Sequence, residues 1–155
     1  MATSAAPAAV DALLAILRAD PGLVEVRIVD GPPSVNFTER HRIYVGWAPG
    51  AEQAVEIQQE WAAAGARRRN EAGAIYCYIE TRAGDKDMAL RRVRAFEILA
   101  AVETALRATD TAPDAPTLNG SVLWAETTVG SLFQESSDTE SLAGLNFTVA
   151  YRARI

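Results

Sequence analysis

His41 and Cys77 are the only members of their residue types in a chain of 155 residues, so acid–base or nucleophilic chemistry has to be sought there first. His41 stands between Arg40 and Arg42 at the start of an apolar run. Two flanking cations disfavour its protonated form, and no obvious acidic partner orients it. It therefore reads as a strand-edge residue and not a general base. Cys77 alternates with Ile75 and Ile79, which marks a buried structural thiol. One His and one Cys cannot make a Cys/His zinc site or an intrachain disulfide. Glu56, Glu60 and Glu80 could meet across a hairpin, but alternation on two strands favours solvated carboxylates. The glycines are spread singly through turns and build no phosphate cradle. The expectation is a non-enzyme, with no catalytic, cofactor-binding or metal-ligating residues and no cofactor.

Charge offers a different kind of site. Arg67, Arg68 and Arg69 form the densest positive patch, either a solvated hairpin tip or a contact for acidic protein or passing DNA. Asp138 and Glu140 mark an acidic tip, and Asn36, Glu39 and Arg40 lie in a polar loop. These are the candidate interaction residues. With 15 Lys and Arg against 20 Asp and Glu, the net charge is -5, which argues against a dedicated nucleic-acid binder. The composition, 49% hydrophobic and 23% charged, is that of a soluble globular chain, and the length is that of one domain spanning 1–155.

The first 22 residues lack a positive leader segment, and Asp11 interrupts their apolar run. No uncharged stretch approaches the ~20 residues of a membrane helix. A cytoplasm-like compartment follows, which makes the glycosylation patterns at Asn36, Asn119 and Asn146 chance matches.

Periodicity supplies the elements that would carry these groups. Pro7 suits a first helical turn, Val10, Leu13, Leu14 and Leu17 recur at helical spacing, and Asp20-Pro21-Gly22 stops the helix. Strands are expected at 24–29, 42–47, 54–62 and 74–81, with 64–73 as a long hairpin tip between the last two. Asp85 is the expected N-cap of a helix over 85–108, with Met88, Val93, Phe96, Leu99, Ala100 and Leu106 as its apolar stripe. A Pro- and Ala-rich connector at 109–117 precedes strands at 121–135 and 145–155, joined by the acidic tip 136–141. The fold class is α+β: a mostly antiparallel sheet with flanking helices, in the order α-β-β-β-β-α-β-β.

The ordered set of segments resembles the tail terminator (tail-completion) proteins of long-tailed bacteriophages, the lambda-type minor tail family. The resemblance runs through the N-terminal helix, Asp30-Gly31-Pro32-Pro33, Ile43-Tyr44-Val45-Gly46 and Glu60-Trp61. It continues through the Arg-rich tip, Arg92-Val93-Arg94-Ala95-Phe96, Val122-Leu123-Trp124-Ala125-Glu126, and 145–154. It implies a structural virion protein at the head–tail junction. Such a protein caps the end of the tail tube as a homo-hexameric ring, stops tube polymerisation and provides the surface on which the head docks. The implied partners are copies of itself, the tail tube protein and a head-completion or stopper protein. DNA would only pass through the lumen, and no membrane is involved. The family brings no catalytic residues. The alternatives are a head-completion or stopper protein, which the long helix disfavours, and a small-molecule-binding α+β domain.

Overall fold

The computed structural model describes residues 2–34 and 38–155, so Asn36 lies outside the described residues. Helix α1, Ala6–Ala19, has Pro7 in its first turn and buries Ala9, Leu13, Leu14 and Leu17. It ends at Asp20, whose backbone N–H donates to the Leu17 carbonyl and whose carboxylate accepts from the Gly22 N–H. Strands β1 (Arg27–Asp30), β2 (His41–Val45), β3 (Val55–Trp61) and β4 (Arg69–Ala83) follow. Helix α2 (Met88–Ala105) and strands β5 (Trp124–Ser136) and β6 (Ser141–Arg154) complete the chain. The α+β class and the element order are those expected from the sequence.

One sheet runs β1-β2-β4-β6-β5, and β3 pairs with the half of β4 that β2 leaves open. All pairs are antiparallel except β1 with β2. Both helices cover one face. There Ile43, Ile75, Ile79, Leu145, Phe147 and Val149 meet Leu13, Leu17, Ile98 and Val102. Each such side chain contributes about 1.5–3 kcal/mol by leaving water. The opposite face carries a small aromatic cluster. Tyr44 and Tyr78 lie nearly parallel at 6.2 Å, and Trp47 stands edge-on to both at 5.1 and 5.8 Å.

Several features differ from the sequence reading. Strand β5 begins at Trp124 and not 121, and β6 begins at Ser141 and not 145, so the acidic tip shrinks to 137–140. Residues 24–26 are not strand: Leu23 and Val26 donate back to the Asp20 and Leu23 carbonyls, and this turn leaves Val24 76% exposed. Asp87, not Asp85, caps α2, accepting from the Leu90 N–H, while Asp85 accepts from the Asp87 N–H one turn earlier. The buried stripe of α2 is Arg91, Ala95, Ile98, Leu99, Val102 and Ala105, which leaves Val93 and Phe96 exposed. Two of the stripe residues are alanines, and Arg91 enters the stripe because Thr81 and Asp85 receive its guanidinium. Finally, β4 starts at Arg69, so the tip is shorter than 64–73 and Arg69 belongs to the ladder.

Candidate interaction surfaces

The fifteen residues of β4 span about 50 Å at ~3.3 Å each, and the charged candidates divide between their two ends. At the Arg69 end the hairpin closes through Ala62 N–H to the Arg68 carbonyl, leaving Arg67 and Arg68 exposed at the turn. Arg69 is fixed instead. Its Nη1 donates to Gln59 Oε1 at 2.9 Å, its Nη2 to the Thr3 carbonyl at 3.2 Å, and its guanidinium lies 5.6 Å from the Trp61 ring centre. At the Ala83 end, Asp138 is exposed and Glu140 pairs with Arg82 at 3.4 Å. Glu39 pairs with Arg27 at 3.8 Å, and the Arg40 carbonyl accepts from the Arg82 N–H. Glu39, Arg40 and Glu140 share an open groove of about 350 Å³ with Arg42 and Arg82. The structure thus gathers three of the nominated residues at one end and places the Arg tip at the other.

The three carboxylates considered as a cluster do not gather. Glu56 sits opposite Ala74 and accepts from the Tyr76 hydroxyl at 2.9 Å, and Glu60 sits opposite Asn70. Glu80 is buried six residues further along β4 than Ala74. There it forms a tight ion pair with Arg82 and lies 3.9 Å from Arg42. Among the described residues no three His, Cys, Asp or Glu side chains form a metal-holding group.

His41 Nδ1 lies 2.9 Å from Thr81 Oγ1, which also accepts from Arg91 Nη1 at 3.2 Å. Arg91 can only donate, so the threonine hydrogen is free for His41 Nδ1, which fits a neutral imidazole protonated on Nε2. Burial first, then Arg94, Arg91 and Arg40, hold its pKa below 6.5 against a weaker pull from Glu25. A proton-linked NMR titration is expected to place His41 below 6.5. The stability that this adds is full above pH 6.5 and is lost as pH falls from there through the folded-state value. Cys77 is fully buried, and burial pushes its thiol up to about 12. Native protein is expected to leave it unmodified by a thiol reagent that labels the unfolded chain stoichiometrically.

Two features escaped the sequence reading. Glu71 is 1% exposed, with Oε2 accepting from the Ala5 N–H at 3.0 Å and the Tyr151 hydroxyl at 2.8 Å, and Oε1 from Gln59 at 2.6 Å. It fastens the start of α1 to the sheet. Its place two residues before Gly73 and four before Ile75, in the inward alternation of β4, was the available signal. The other feature is a pair of free sheet edges, β3 and β5, both solvent-facing along almost their whole length. The short β1 edge is partly covered by Arg18, which donates to the Ile28 carbonyl.

No helix among the described residues is long and apolar enough to cross a membrane. No protein-family model and no curated protein matches the sequence. A chain from the virion of a native gene transfer agent particle is similar in fold. The match covers 98% of this chain and 100% of that one, with a TM-score of 0.53 at 14% identity.

Proposed function

We propose that the chain is a structural virion protein that caps the end of a phage-type tail tube as a homo-hexameric ring, stops tube polymerisation and provides the head-docking surface. The observation that carries this reading is the end-to-end likeness of fold to a chain of a virion particle, which covers the whole of that chain. It acts through surfaces and not chemistry. Its one imidazole is held neutral against Thr81, its one thiol is sealed in the core, and two of the arginines lining the groove at the Ala83 end, Arg42 and Arg82, already face carboxylates. In the capped tube the partners are further copies of the chain, the tube protein and a head-completion or stopper protein. DNA passes through the lumen, and the net charge of -5 disfavours its retention.

Placing the basic and acidic tips at opposite ends of β4 gives the ring two chemically different faces, one for the tube and one for the head. Charge reversal of the two exposed tip arginines, Arg67→Glu with Arg68→Glu, is expected to leave folding intact and abolish docking on one face only. The check is co-sedimentation with tail tubes and, separately, with the head-completion protein. Retention of both would remove the Arg tip from the account.

A further inference from the structure

The lower half of the sheet is four strands wide with an open edge on each side. Register places Val55, Ile75, Val149 and Thr127 in one row. Glu56, Ala74, Ala150 and Glu126 form the next, then Ile57, Gly73, Tyr151 and Ala125, then Gln58, Ala72, Arg152 and Trp124. The two open edges therefore stand level along the strands.

Their hydrogen-bonding groups can be assigned. Ala54 O accepts from Tyr76 N and Ala62 N donates to Arg68 O, so the even-numbered residues of β3 turn their backbone toward β4. Val55, Ile57, Gln59 and Trp61 then point their N–H and C=O outward. Arg69 and Ile155 exchange both bonds, so odd residues of β6 face β4 and even ones face β5. Across the β5–β6 register this leaves Ala125 and Thr127 pointing outward on β5. Strand β5 runs parallel to β4 and β3 runs against it, so β5 of one copy meets β3 of a like-oriented copy in antiparallel sense.

We propose, resting on the ring reading above, that β5 of one copy pairs with β3 of the next copy, so that the sheet continues from subunit to subunit. The contact is heterologous, as a closed ring requires. Charge disfavours pairing of β3 with another β3, because Glu56 and Glu60 lie on its face away from the helices, whereas β5 before the bulge bears a single carboxylate there, Glu126, with Arg152 and Arg154 one strand behind it on β6. Strictly level pairing would set Glu126 against Glu56 of the neighbour. A two-residue stagger removes that repulsion, setting Glu126 against Gln58 and Trp124, beside Arg152, against Glu60. The exposed Ile57, Trp61 and Trp124 side chains flank the joint. Strand β1 projects one strand beyond β3 in the other half of the sheet, which confines the joint to the part of β5 before the bulge between Val129 and Leu132.

In this register Glu126 and Gln58 of the neighbour form a non-hydrogen-bonded pair, with Cα atoms ~4.5 Å apart and within disulfide reach. The test mixes full-length Glu126→Cys with full-length Gln58→Cys in concentrated solution under a glutathione redox buffer. A disulfide-linked heterodimer is expected in the mixture, with none in either variant alone. Trp124→Cys with Glu60→Cys is a second pair in the same register. No heterodimer from either mixture, or equal cross-linking of single variants alone, overturns the edge contact. Electron microscopy of the same samples separates the two readings. Closed rings without cross-links defeat the edge contact alone, and cross-linked open filaments defeat the ring alone.

Discussion

Glu71→Ala is expected to lower the unfolding free energy by about 3–5 kcal/mol, read by chemical denaturation at neutral pH. The carboxylate is buried and receives hydrogens from Gln59, Tyr151 and the Ala5 backbone. Its removal orphans three donors in a low-dielectric site, and each hydrogen bond to a charged acceptor contributes about 1.5–3 kcal/mol. Burial alone would raise the Glu71 pKa, but hydrogen bonds from Gln59, Tyr151, Ser4 and Ala5 outweigh it and hold the pKa below 4.5. The unfolded chain therefore binds the proton more readily. The stabilisation is complete above pH 4.5 and is lost as pH falls from there through the folded-state value. Glu71→Gln is expected to flatten that acid limb. An unchanged acid limb would show that Glu71 does not hold α1 to the sheet.

Gly73→Ala is expected to cost about 3 kcal/mol for a single added methyl. Gly73 lies directly across from Tyr151, and a Cβ there would overlap the hydroxyl-bearing edge of the Tyr151 ring. The ring cannot swing away, because it is buried and its hydroxyl is fixed on Glu71. Overpacking of a filled core costs ~1–3 kcal/mol, and loss of the Tyr151–Glu71 bond adds to that. In a Tyr151→Leu background the same substitution is expected to cost less than about 1 kcal/mol, since the obstructing ring is gone. Equal costs in the two backgrounds would contradict this packing.

The long strands were legible because β6 alternates cleanly and because Ile75, Cys77 and Ile79 mark an inward face. The helix caps and the α2 stripe were not, since they depend on tertiary partners. Asp85 and Asp87 are equivalent by residue type, and only the Leu90 N–H and Arg91 distinguish them. The true stripe contains a charged residue and two alanines, whereas Val93 and Phe96 remain outside the core. The parallel β1–β2 pair was invisible because nothing in a strand's own pattern fixes the direction of its neighbour. For the candidate surfaces, residue type located the charged tips but not their separation along β4, which follows from strand pairing. The free edges were hidden for the same reason: exposure of β3 and β5 is a property of where they fall in the sheet.

Termination of a tail tube is the proposed role of this chain. The most direct measurement adds the purified full chain to polymerising tail-tube protein and images the tube ends by electron microscopy. The expected result is six-fold caps on a single end, with tube growth stopped at that end. Tubes that continue to grow with both ends bare would contradict the account.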